Sequence, residues 1–250
     1  MTLLAVDGVA KSYGGVRAVA GVSFTLAEGE LLALIGPNGA GKTTCFNMVN
    51  GQIRPDAGSV RLGARDITGL RPRQIWRLGV GRTFQVAQSY ASMMVRENVQ
   101  LALIAYHRRL FSFVPRAAAL YRDEATALLE RVGMAAQADR QCGVLAYGDL
   151  KRLELAVALA NSPRLLLMDE PTAGMAAGER LSLMALAASL ARARGISMLF
   201  TEHDMDVVFG HADRIIVMNR GRIISDGAPS VVRNDPHVRE VYLGADTAAG

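Results

Sequence analysis

The chain has 250 residues, half of them hydrophobic, and a net charge of +5; that length suits one large domain or two small ones around a packed core. No apolar run approaches the roughly 20 residues of a spanning helix, and the opening MTLLAVDGVAKSYGG lacks the long apolar region of a signal peptide, which predicts a soluble cytoplasmic protein. The two cysteines, Cys45 and Cys142, are too few for a disulfide framework and sit in no metal-ligand spacing, while the modest basic excess fits an anionic ligand or membrane face as well as an ordinary solvated surface.

From residue 2 to 35 the segments LLAVDGVA, VSFTLAEG and ELLALIG read as short strands separated by the turn signals Tyr13-Gly14-Gly15 and Glu28-Gly29. They predict an antiparallel sheet leading into the core. Tyr13 lies in a polar setting, where its ring can stack on a flat base or simply pack. The stretch GPNGAGKTT, Gly36 to Thr44, then follows the apolar run Leu31 to Ile35 and opens a helical pattern. Strand, Gly-rich turn and helix in that order make a phosphate site. Gly36, Gly39 and Gly41 let backbone N–H groups approach anionic oxygens, Lys42 supplies a point charge, and Thr43 offers a hydroxyl that can ligate Mg²⁺. The helix N-terminus adds its partial positive charge. Cys45, just inside that helix, reads as a small core residue whose position also makes it a candidate target for thiol reagents.

Gly51 reads as a helix C-cap, and Pro55-Asp56-Ala57-Gly58 turns the chain into a strand, SVRLGARDI. A short basic helix, RPRQIWRLGV, precedes the strand-like GRTFQ. Its last residue, Gln85, carries a carboxamide at a loop edge, able to touch a metal-bound water or to sit on the surface. From Ala87 to Ala160 the pattern turns helical, with MMVRENVQLALIAYHRRL, AALYRDEATALLERVGM and LKRLELAVALA each carrying one apolar face. Met93 and Met94 at its entrance suit either a core or an adaptable partner groove. RLLLMDE, ending at Glu170, is a continuous apolar run of the kind buried on both faces of a parallel sheet. Asp169 and Glu170 thus stand at a carboxyl strand end, where α/β sheets bind ligands, as candidates for a metal site and a general base. The helix GERLSLMALAASLARARG closes at Gly195, the strand ISMLFTEHD brings His203 to the same sheet edge, and RIIVMNRGRIISDGAP reads as a hairpin around Asn219-Arg220-Gly221 before a last helix.

In this order GPNGAGKTT, Gln85, LAYGD, RLLLMDE and His203 resemble the nucleotide-binding subunit of an ATP-binding cassette (ABC) transporter, over essentially the whole chain. RTFQ (82–85), LAYGDLKRLELA (145–156), the insertion HRRLFSFVPRAAALYRDEA and the ending YLG (242–244) resemble, within that family, the ATPases of branched-chain and hydrophobic amino-acid importers. The resemblance implies an α/β fold: a P-loop NTPase core over 1–86 and 161–228 with an N-terminal antiparallel β subdomain, a helical subdomain over 87–160, and a C-terminal helix and tail over 229–250. It implies ATP and Mg²⁺ as cofactors. Tyr13 would stack on adenine; Gly36, Pro37, Asn38, Gly39, Ala40, Gly41, Lys42, Thr43 and Thr44 would hold the phosphates; Thr43, Gln85 and Asp169 would serve the metal. Glu170, His203, Lys42 and Gln85 would carry the catalytic roles.

The same resemblance implies partners: a second cassette subunit, identical or a paralogue, two transmembrane permease subunits and, indirectly, a periplasmic binding protein, with no nucleic acid. The protein would then sit peripherally on the inner face of the cell membrane. Leu145, Ala146, Tyr147, Gly148 and Asp149 would form the signature motif offered to the partner's ATP. This stretch departs from the common LSGGQ, since Ala146 replaces the serine, Tyr147 the first glycine and Asp149 the glutamine. The missing hydroxyl is worth about 1 kcal/mol of dimer closure. Ala176 stands where the family commonly has an aspartate across the dimer seam, which implies looser communication between sites. Urea or amide importers and the lipopolysaccharide-export ATPase share the short layout. Soluble cassettes acting on nucleic acid or ribosomes usually carry two cassettes or a long coiled-coil insertion, and neither is present here. A cassette without turnover is disfavoured by Glu170 and His203.

Overall fold

A computed structural model describes residues 1–83, 89–109 and 119–246, with side chains up to residue 241. Two long strands, β1 (Thr2–Tyr13) and β2 (Val16–Ala27), pair antiparallel; β3 (Leu31–Ile35) leads to helix α1 (Lys42–Val49). Next come β4 (Ala57–Leu62), β5 (Arg65–Asp66), α2 (Pro72–Trp76) and β6 (Val80–Thr83). Helices α3 (Val95–Tyr106), α4 (Arg122–Arg131) and α5 (Tyr147–Leu159) follow, and then β7 (Leu165–Asp169), α6 (Ala177–Arg194), β8 (Ser197–Thr201) and α7 (Met205–His211). The hairpin β9 (Arg214–Asn219) and β10 (Arg222–Gly227) precedes α8 (Pro229–Asn234) and α9 (Pro236–Asp246).

These strands form two sheets. The first has the order β2-β1-β4-β5 and is antiparallel; the second has the order β10-β9-β3-β8-β7-β6 and is parallel except for its β10 edge. Two expectations change. The strand after Glu28-Gly29 does not extend the antiparallel sheet but enters the middle of the parallel one, because all five of its residues are buried and need cover on both faces. The two strands before it are not short but 12 residues each. The expected strand SVRLGARDI is also split, since a turn at Gly63-Ala64 folds β5 back onto β4, pairing Leu62 with Arg65 and Arg61 with Asp66.

Alternation along the buried strands divides their side chains between two cores. Leu31, Ala33 and Ile35 of β3, with Leu166, Met168, Met198 and Phe200, face α3 to α6. Leu32 and Leu34, with Leu165, Leu167 and Leu199, face the other way onto Cys45, Phe46, Met48 and Val49 of α1 and onto Leu4, Val6 and Val9 of β1. Helix α1 is therefore packed between the two sheets, and the loop before it cannot drift. Arg214 ties the sheets at their rim, donating to Glu30 at 2.7 Å, to Asp226 at 3.0 and 3.1 Å, and to the Thr25 carbonyl of β2. In the helical layer Arg96 makes a bidentate pair with Asp139 at 2.5 and 2.9 Å, holding the start of α3 to the segment after α4.

Phe200 is fully buried on the central strand β8. Phe200→Ala is expected to lower stability by about 3–5 kcal/mol, whereas Val231→Ala at an exposed position of α8 should stay within about 0.5 kcal/mol of the parent. Urea unfolding of both variants measures the difference.

Candidate active site

The sheet's carboxyl edge is where the chain's polar groups converge. β3 ends at Gly36, whose φ is +149; a Cβ there would stand 2.1 Å from the Met218 carbonyl oxygen of β9. Gly41, the N-cap of α1 at φ +99, would likewise drive a Cβ to 2.3 Å from the Ala18 carbonyl of β2. Only glycine fits either place. Ala40 is locked between them, its N–H donating to Pro37 O at 3.1 Å and its carbonyl accepting from Gly221 N at 2.9 Å. The result is a loop clamped by backbone on both flanks.

Lys42 opens α1 and folds back over this loop, its Nζ donating to Gly36 O at 2.6 Å and Pro37 O at 3.2 Å. Burial pushes its ammonium pKa down, against the upward pull of the Glu170 and Asp169 carboxylates. A bound anion would relieve that desolvation. Tyr13, Ala18, the residues 38–44 and Glu170 line one cleft of about 280 Å³. The structure thus brings Tyr13, the phosphate loop and the candidate base together, with Tyr13 half-exposed and Thr43 exposed.

β7 delivers Asp169 and Glu170. Asp169 is buried: its Oδ1 accepts the Thr201 hydroxyl at 2.8 Å, and its Oδ2 lies 3.4 Å from Arg82 Nη2, which also donates to Asn47 at 3.0 Å. Glu170 holds a left-handed backbone, φ +48, and its N–H donates to the Thr201 carbonyl at 3.1 Å and hydroxyl at 3.0 Å. Such a conformation costs a non-glycine residue roughly 1–3 kcal/mol and survives only where its surroundings hold it. Glu170 Oε1 is 2.8 Å from His203 Nε2.

Sequence reasoning missed Glu202. This buried carboxylate accepts from Thr172 N at 2.9 Å and Oγ1 at 2.7 Å through one oxygen, and from His203 N at 3.2 Å through the other. It fastens the loop after Glu170 to the loop carrying His203. The signal was present, an acid beside the chosen histidine at a strand end, but its partner Thr172 lies 30 residues earlier in the chain. Arg82 had been noted only as part of RTFQ.

Residues Leu145 to Asp149 lie elsewhere. Ala146 is the N-cap of α5, with no side-chain cap, so the first N–H groups of α5 rely on water or a ligand. Ala146, Gly148 and Asp149 line a separate hollow of about 380 Å³ with Arg152, Met175, Gly178, Glu179 and Ser182, sharing no lining residue with the phosphate cleft. Tyr147 turns its hydroxyl to the Ala173 carbonyl at 3.1 Å. Ala176 caps α6 without a side-chain bond. Met94 is partly exposed at the start of α3, the side expected to suit a groove. Gln85 lies outside the described residues, as does 110–118 of the insertion, and 242–244 is described for its backbone alone.

Among the described residues no cluster of three or more His, Cys, Asp or Glu could hold a metal. The donor set that fits Mg²⁺ is instead the Thr43 hydroxyl beside the phosphate loop with Asp169 behind it, a set that needs phosphate oxygens and water to complete it.

A family model described as ABC transporter matches residues 19–173, and one described as branched-chain amino acid ATP-binding cassette transporter matches 222–248. The chain is 42% identical over 252 residues to the high-affinity branched-chain amino acid transport ATP-binding protein LivG of Salmonella typhimurium, spanning 97% of this chain and 98% of that protein. The corresponding BraF of Pseudomonas aeruginosa is 39% identical over the same shares. Among solved structures, an ATP-binding cassette of an ABC transporter in its ADP conformation matches with a TM-score of 0.87 and 32% identity, over 98% of this chain and 99% of that one. A nucleotide-free cassette matches with a TM-score of 0.85 and 31% identity, over 97% and 99%.

Cys45 is the small core residue its type suggested and not the thiol-reagent target its position also offered. It is fully buried beneath the loop, and desolvation pushes its thiol pKa from 9.0 up to about 12, so neither access nor thiolate is available at neutral pH. Cys142 is buried too. The folded protein is expected to react negligibly with Ellman's reagent at pH 8, and both thiols to react once urea unfolds it; the absorbance at 412 nm follows each.

Proposed function

This chain belongs to the ABC transporter family, as an ATP-binding subunit that couples ATP hydrolysis to transport, and we propose that the transporter is an importer of branched-chain or other hydrophobic amino acids. The observation that carries the catalytic part is the Glu170–His203 contact of 2.8 Å at the lip of the phosphate cleft. The cargo reading is supported by the 222–248 match and by the relatives' near-complete overlap with this chain.

In this reading the adenine lies on Tyr13, and the stretch Gly36 to Thr44, through Lys42 and backbone N–H groups, cradles the β- and γ-phosphates. Thr43, with Asp169 and Gln85 through water, holds Mg²⁺, which supplies neutralisation of phosphate charge. Glu170 polarises the attacking water: the water oxygen bonds to the γ-phosphorus, its proton passes to Glu170, and ADP leaves. With Glu170 ionised, the contact to His203 requires the proton on His203 Nε2, which fixes the base and leaves the ring beside the γ-phosphate. Little covalent chemistry is asked of the protein. Its contribution is positioning, and Glu202 and Thr201 supply much of it by fixing both partners of the Glu170–His203 pair.

In this reading Leu145 to Asp149 serve a second cassette; the hollow that Ala146, Gly148 and Asp149 line, separate from the chain's own cleft, supports it. The free N–H groups of α5 suit a phosphate there, although Ala146 brings no hydroxyl. No described helix is long and apolar enough to cross a membrane; two permease subunits would span it, with this chain peripheral on its inner face and a periplasmic binding protein delivering the cargo. The helical insertion 87–160 would then carry the signature motif.

Glu170→Gln should lower phosphate release by about 10²-fold or more while ATP still drives association, seen as a shift in size-exclusion elution. Undiminished turnover would remove Glu170 from its role. Deleting the gene should abolish uptake of labelled leucine and spare urea; loss of urea uptake alone would reverse the cargo assignment.

A further inference from the structure

The contact between Tyr147 and the loop that follows Glu170 joins two sites that otherwise share no lining residue. From residue 170 to 176 this loop connects the candidate base to α6. Its first half is fixed from β8, through Glu170 N on Thr201 and Thr172 on Glu202. Its second half has no such anchor from Ala176, which contributes no side-chain bond at the head of α6. What reaches it is Tyr147. The phenol hydroxyl donates to Ala173 O at 3.1 Å, and the ring lies beside Gly174, 3.6 Å from where a Cβ on that residue would stand.

The ring is itself positioned. Lys151 Nζ sits 5.5 Å from its centroid, one helical turn along α5, and is paired at 3.1 Å with Glu154; both charged groups are buried. Tyr147, 42% exposed, is therefore held through its hydroxyl by Ala173 and through its ring by Lys151 in the first turn of α5, the turn that offers its N–H groups to the partner's nucleotide in the function proposed above.

We propose that Tyr147 is a positioning residue that couples the phosphate-binding end of α5 to the general-base loop of its own chain. When the start of α5 engages ATP held by the second subunit, the phenol carries that displacement to Ala173 and Gly174, three and four residues beyond Glu170. Each site thereby senses whether the other is loaded. The side chain acts inward on its own chain while the backbone of the same turn faces the partner's phosphate.

This inference rests on the ATPase reading, and Tyr147→Phe separates the two. The variant keeps the ring, its place beside Gly174 and its contact with Lys151, and loses only the hydroxyl. It is expected to lower the maximal rate of ATP hydrolysis about fivefold, the worth of one ordinary hydrogen bond, and to flatten the cooperative dependence of rate on ATP. The ATP concentration at half-saturation, the binding of a fluorescent ATP analogue and the melting temperature should all stay at the parental values, because the phenol hydroxyl is turned to Ala173 O and Tyr147 lines neither the phosphate cleft nor the hollow at the start of α5. Parental rate and cooperativity in the variant would overturn the inference. So would a fall in melting temperature and ATP affinity in step with the rate, which would make the contact structural. A parental protein without ATP turnover would sink the ATPase reading itself, and this inference with it.

Discussion

The carbonyl oxygen of Met218 occupies the space where any side chain at Gly36 would have to stand. That approach brings the β9–β10 hairpin against the phosphate loop, and the Ala18 carbonyl does the same from the opposite side at Gly41. Everything else at the site is placed relative to this wedge. The loop's flanks are closed by backbone, and backbone packing of this kind resists the small drifts that a phosphate ligand would detect. The antiparallel sheet thus does more than cover α1. By contributing Ala18 and Tyr13 it forms one wall of the cleft.

The electrostatics of the cleft follow from the same enclosure. Lys42 is satisfied internally by the Gly36 and Pro37 carbonyls, so its charge is held against backbone dipoles at the head of the helix. Asp169 is likewise engaged by Thr201 and Arg82. The site is a set of charges each held by a neighbour that a ligand can replace, which is how a polar cleft avoids the cost of buried, unsatisfied groups before its substrate arrives.

Much of this was legible in the residues. GPNGAGKTT announces its loop by spacing, RLLLMDE its double-sided burial by unbroken hydrophobicity, and Gly195 its helix end, found at φ +64. Local signals specify local structure. They do not name a strand's neighbour, and β3 was therefore assigned to the wrong sheet: ELLALIG reads the same beside β2 as between β8 and β9. The same limit hid Glu202 and Arg82, whose partners Thr172 and Asp169 are 30 and 87 residues away. Cys45 illustrates a third kind of gap. Its type and place were plain, yet its reactivity depends on how closely two sheets shut over one helix, a quantity no short window contains.

The division of each buried strand between two apolar cores has a consequence for registry. In a sheet wet on one face, sliding a strand by one residue would bring polar groups inward, and that cost holds the alignment. Here Leu165, Leu166, Leu167 and Met168 are all buried, alternating between two greasy compartments, so a slip would merely exchange one hydrocarbon for another. What distinguishes the correct alignment lies at the strand tips: the Asp169–Thr201 bond, the Glu170 N–H on Thr201, and the Gly36 backbone against Met218. The groups at the candidate site are therefore also the vernier that sets the sheet, and loosening one for a new chemistry would let the strands beneath it lose their alignment.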